Sequence, residues 1–147
     1  MKAKLCGLIT LWSLSLCLPL LANTPVGMWK TIDDESKEVK SYVRIWEENG
    51  TIFGRIDSLF SKPGEDPNRV CVKCEGKNKN KPVKGLTIIW NLKQDGDEWS
   101  GGQILDPKSG KVYRCKLKLA DDGNKLIVRG FLGISLLGRS QEWIRIN

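Results

Sequence analysis

The chain contains no histidine. Ser-His-Asp and Cys-His catalysts are therefore absent, and so is the commonest zinc ligand. Thiols, carboxylates and amines remain. Cys71-Val72-Lys73-Cys74 forms a C-x-x-C. One reading is a redox pair with a lowered thiol pKa, which normally sits at a helix N-terminus in a βαβ setting, and no such helix is expected here. The other reading is a small disulfide that stiffens a loop. Zinc would need both thiols, Cys115 and a carboxylate, so no metal is expected. On alternation, Cys115 lies on the apolar face of its strand with Tyr113 and Leu117. It reads as a small buried hydrophobe, with a bridge to Cys71 or Cys74, or a thiol in a ligand cavity, as alternatives.

Acid–base chemistry would have to come from paired carboxylates. Asp33-Asp34-Glu35, Glu47-Glu48, Asp95/Asp97/Glu98 and Asp121-Asp122 all fall at expected turns, where local hydrogen bonding accounts for Asp. Nothing sets two of them on one inward face, so a glycosidase-like pair has no support and no enzyme is expected. The amines are more suggestive. Ser61 to Pro82 is the longest connection, and it carries Lys73, Lys77, Lys79 and Lys81. A loop of this length in a compact domain is often functional. It can serve as a lid over a barrel mouth, as a basic finger for anionic envelope surfaces, or simply as a solvated loop. Nucleic acid is not expected, because no aromatic residues interleave with these lysines. Trp46, Trp90 and Tyr113 are the aromatic candidates for a cavity wall, against the alternative of ordinary core packing. The apolar stretch Gly133 to Gly138 reads either as a turn plugging one barrel end or as a site presenting Leu136 and Leu137.

These residues must be positioned by strands. Turn signals recur about every ten residues. Asn49-Gly50 separates Ser41–Glu47 from Thr51–Phe60, and Asp95-Gly96-Asp97 separates Leu86–Lys93 from Glu98–Leu105. Asp106 to Gly110 leads into Lys111–Leu119, and Asp121 to Asn124 into Lys125–Gly130. Val26–Ile32 comes first and Gln141–Ile146 last. The fold expected is all-β: an antiparallel up-and-down meander of about eight strands, closed into a barrel that has no free edges. Such a barrel is just wide enough to be filled by side chains or to hold one small ligand. In Leu86–Leu92, simple alternation puts Leu86, Ile88, Trp90 and Leu92 on one face.

The first 22 residues stand apart. Lys2 and Lys4 precede an almost wholly apolar run from Leu5 to Leu21, and Ala22 comes next. This is the layout of a secretory signal peptide, with a lipid-bearing Cys17 as the lesser alternative. Cutting after Ala22 would leave a single 125-residue domain, 23–147, with net charge +5 in place of +7 and three cysteines in place of five. No second apolar stretch reaches spanning length, so the mature chain is expected to be periplasmic or secreted.

Particular residues carry two resemblances. Gly27-Met28-Trp29 on the first strand and Arg145 on the last resemble the lipocalin and wider calycin pattern. That resemblance implies that the Arg packs over the Trp and closes one barrel end. Gly27 to Thr31, Val43 to Gly50, Asp66-Pro67-Asn68 running into Cys71 and Cys74, Trp99 to Pro107, and Gly130 to Trp143 resemble the secreted bacterial family catalogued as domain of unknown function 2147. This implies a calycin-like barrel and export, and it implies no reaction. The function expected is an exported, non-enzymatic barrel that binds a small apolar or amphipathic ligand in its interior, without a cofactor. The alternatives are an envelope-surface protein acting through Lys73 to Lys81, and a thiol-redox protein using Cys71 and Cys74.

Overall fold

The computed structural model describes residues 23–134 and 136–146. The signal-peptide expectation for residues 1–22 lies outside them. Eight strands form one closed antiparallel barrel in simple chain order. They are β1 (Gly27–Ile32), β2 (Val39–Glu48), β3 (Thr51–Leu59), β4 (Thr87–Asp95), β5 (Glu98–Leu105), β6 (Val112–Ala120), β7 (Lys125–Phe131) and β8 (Gly138–Ile146). Each pairs with its sequence neighbour, and β1 meets β8 through Met28–Ile146, Trp29–Arg145 and Lys30–Ile144. The expected meander is therefore observed, with strand ends displaced by at most a few residues. Closure leaves no strand edge unpaired, which removes the usual route to edge-to-edge association.

Alternation directs one face of each strand inward. Val43 and Ile45 of β2, Leu117 of β6, and Leu126 and Val128 of β7 point into the core, and Trp29, Trp99 and Trp143 add large rings. Trp29, Val43, Ile89, Leu92, Leu117 and Leu126 are all 0% exposed, so no water-sized void touches them. The interior expected to hold a ligand is instead packed with side chains across this region. Gly54 marks how tight it is, because a Cβ there would lie 3.2 Å from the Cβ of Ile89.

The regular alternation breaks at β4 and β5. Ile52 pairs with Leu92 but Gly54 with Ile89, so β4 carries one extra residue. Asn91 takes it up at φ 62°, and β5 shifts register between Trp99 and Gly102, with Gly101 at φ 81°. These are β-bulges, and each reverses the facing of the residues beyond it. Ile89 and Leu92 consequently both point inward.

The two barrel ends differ. One carries the tight turns β2–β3, β4–β5 and β6–β7 together with Thr24 and Ile146. The other carries the β1–β2 turn, the long β3–β4 connection 60–86 (here the lid), the β5–β6 turn and the β7–β8 connection.

Candidate functional site

The first end is sealed. The Arg145 guanidinium lies 4.3 Å from the Trp29 ring centroid. It donates from Nε to Gly123 O at 2.7 Å, from Nη1 to Val26 O at 3.0 Å, and from Nη2 to Thr24 O at 2.7 Å. Trp29 Nε1 donates to Pro25 O at 2.8 Å. One cation thus covers an apolar ring and ties together three chain segments. Burial lowers the Arg145 pKa by disfavouring its charged form. Gly27 is needed here: its φ is 141°, and a Cβ would come within 2.8 Å of the Arg145 Nη1 atom.

The other end is covered by the lid, which is an ordered segment. Cys71 and Cys74 form a disulfide with both residues at most 1% exposed. Val70 bridges to Pro82, Cys71 N donates to Lys81 O, Asn80 N to Cys71 O and Val83 N to Arg69 O. Cys71, Cys74, Val83 and Leu86 join the same buried cluster as the barrel interior. The lid docks on the β5–β6 turn at Gly110. With φ 72°, Gly110 approaches so closely that a Cβ would fall 1.9 Å from Lys73 O.

Two clefts flank the short 3-10 turn Gly76–Asn78 within this lid. The larger, about 390 Å³, lies between lid and rim. Leu105, Val112, Tyr113 and Leu132 form its apolar wall, and Glu75, Asn78 and Lys111 supply polar groups. The smaller, about 270 Å³, is lined by Lys77, Lys81 and Lys84 with Asn78 shared between the two. The larger cleft is shallow and open to solvent, and it sets an apolar wall beside a few polar side chains.

The aromatic candidates separate. Tyr113 lines the larger cleft. Trp46 does not line the interior: it comes after inward-facing Ile45, stacks on Phe53 at 5.7 Å, lies under Arg55, and donates from Nε1 to Glu48. Trp90 is also turned outward, donating from Nε1 to Gln103 Oε1 at 3.1 Å, because the bulge in β4 alters the alternation. Of the lid lysines, Lys77 and Lys81 line the smaller cleft, Lys73 is exposed, and Lys79 folds back to donate to Val72 O at 2.6 Å. Lys84, which sequence reasoning passed over, completes the basic wall. Cys115 is free and buried between Gly102 and Gly130 on the flanking strands. Burial pushes its thiol up to about 12, so it is neither a bridge partner nor a reactive nucleophile. The Gly133–Gly138 segment does not plug the barrel, since Ile134, Leu136 and Leu137 stand out into solvent.

Comparison with known proteins now has a fold to rest on. Residues 27–145 match the family described as "Uncharacterized protein conserved in bacteria (DUF2147)". The chain belongs to this family. A solved structure from Helicobacter pylori, of a protein described as belonging to the lipocalin family, superimposes with a TM-score of 0.70. The two share 19% sequence identity, and the match covers 83% of this chain and 82% of that one. At that identity the likeness concerns the fold, which is a lipocalin-like barrel. A search of curated proteins gave no match. Among the described residues, no helix is long and apolar enough to cross a membrane.

Proposed function

We propose that this member of the family is an exported, non-enzymatic binding protein for a small apolar or amphipathic molecule, held at the rim and not deep in the barrel. The observation that carries this reading is the contrast between a packed interior and an open cleft of about 390 Å³ walled by Leu105, Val112, Tyr113 and Leu132. Glu75, Asn78 and Lys111 would orient the polar part of such a ligand. Export is supported by the apolar leader pattern of residues 5–21 and by a disulfide, which persists in oxidising compartments. The thiol-redox alternative is disfavoured because both cysteines are buried within the lid and, among the described residues, the only helical segment beside them is the single 3-10 turn Gly76–Asn78, not an α-helix N-terminus.

Native mass spectrometry of protein recovered from an envelope extract tests both parts. The expected result is a chain beginning at Asn23 that carries a small adduct. Tyr113→Ala should lose that adduct and bind an apolar fluorescent probe roughly tenfold more weakly. A wild-type protein with no adduct and no affinity for the probe would exclude the binding reading. An uncleaved N-terminus would exclude export by this route.

A further inference from the structure

We infer that the lid end of the barrel is a membrane-docking face for a bilayer bearing anionic headgroups. This goes beyond the binding reading and does not require the cleft to hold a ligand. The first observation is where exposed apolar surface occurs. Among the described residues, the exposed large apolar side chains are Phe60, Val70, Val72, Val112, Leu132, Ile134, Leu136 and Leu137. All belong to connections or strand starts at this one end, and none lies at the Arg145 seal. Leu136 and Leu137 are 84% and 73% exposed, and no charged residue lies between Leu132 and Gly138. Exposed apolar side chains gathered at one end of a barrel mark an interaction site.

The second observation is charge. The lid and the β5–β6 turn (106–111) together carry nine Lys and Arg against four Asp and Glu. Lys73, Lys77, Lys81, Lys84, Lys108 and Lys111 make no ion pair among the described residues. In the neighbouring β1–β2 turn Lys62 holds Glu38 at 2.6 Å and Arg139 chelates Asp34 with Glu35 3.6 Å away, while Asp33 accepts from the backbone N–H groups of Glu35 and Ser36. The uncompensated charge of the lid is therefore positive. Its lysines are also carried on a backbone ordered by the disulfide and its hydrogen bonds.

Apolar tips beside unpaired lysines match the two layers of a bilayer surface. The tips reach the acyl boundary and the ammonium groups stay among the phosphates. A second copy of the chain fits poorly, since face-to-face contact would set lysine against lysine. A soluble polyanion would leave the leucines in water. Leu132 and Val112 border the same cleft as Glu75 and Asn78, so a docked barrel would open that cleft toward lipid.

Vesicle flotation tests this with the chain from Asn23, which contains the whole closed barrel and both sealed and lidded ends. The wild type should float with phosphatidylglycerol–phosphatidylethanolamine vesicles and far less with phosphatidylcholine. Two variants, Leu136→Asp with Leu137→Asp, and Lys77→Glu with Lys81→Glu and Lys84→Glu, should each lower partitioning roughly tenfold or more. Both sets of side chains are exposed, so thermal melting should be unchanged and a folding defect is separately visible. Docking is overturned if the wild type fails to float with anionic vesicles, or if both variants float as it does. It is also overturned if the leucine variant floats normally and only the lysine variant is lost, which would indicate a soluble polyanion. Loss of a wild-type dimer in the leucine variant would overturn it too, by assigning the patch to a second copy.

Discussion

Strand β8 carries an arginine near each end, and the two do opposite work. Arg145, at the sealed end, is partly buried, lies over Trp29, and satisfies three backbone carbonyls. Arg139, at the lidded end, is exposed and bound to the carboxylate of Asp34, with Glu35 3.6 Å away. The first ties separate chain segments into one closure and would leave orphaned carbonyls if removed. The second trades one solvated ion pair for another. The barrel is therefore closed at one end by a single guanidinium that ties separate segments together, while the other end is covered by a lid anchored through buried side chains and the close approach at Gly110. Stability and candidate function occupy different ends.

Substitutions can test that division. The largest effect is expected from Arg145→Ala, which should cost about 3 kcal/mol, since it removes charged hydrogen bonds and the ring contact together. Urea denaturation would register this as a lower midpoint with an unchanged slope; a shift no larger than that of a surface mutant would break the comparison. Gly110→Ala comes next, at about 2 kcal/mol, because it combines left-handed strain with a clash against Lys73 O. Its effect should be local. Hydrogen exchange should quicken over Cys71 to Lys81, while the strands around Arg145 keep their protection.

Between the ends, Cys115 makes stability depend on alkaline pH. Its folded pKa of about 12 exceeds the ordinary thiol value of 9.0. Its contribution is thus fully present below pH 9.0 and is lost as pH rises toward about 12. Wild type should lose stability relative to Cys115→Ala by roughly 1 kcal/mol per pH unit above that lower limit. The smallest effect belongs to Arg139→Ala, at about 0.5 kcal/mol. Arg139 lowers the Asp34 pKa, so even this contribution is present above the ordinary carboxylate value and disappears as pH falls through the lowered one. A larger loss would show that the lidded end shares in closing the barrel.

How much of this was legible in the sequence depends on whether the signal is local. The hairpins were readable because Asn49-Gly50 and Asp95-Gly96 announce tight turns, and both Asn49 and Gly50 adopt the positive φ such a turn needs. The Trp29–Arg145 closure came from resemblance, and Gly27 shows why its motif begins with glycine. Trp46 could have been assigned to the outer face from its own strand, where it shares parity with Tyr42 and Arg44 and opposes Val43 and Ile45. Trp90 could not, because the bulge at Asn91 is invisible to a strict period of two. The larger cleft was also hidden. Its walls come from segments far apart in the chain, brought together by the approach of Gly110 to the Lys73–Cys74 peptide. No spacing rule reports a contact of that kind.

An even number of strands in an up-and-down barrel brings the chain's first and last described residues to the same pole. Thr24 and Ile146 both lie beside the Arg145 seal, opposite the clefts. A fluorophore or a sensor-chip tether attached beside Thr24 or Ile146 would hang from the sealed pole. Immobilised in that way, every molecule would present its lid and rim to the solution, and its mouth would remain free.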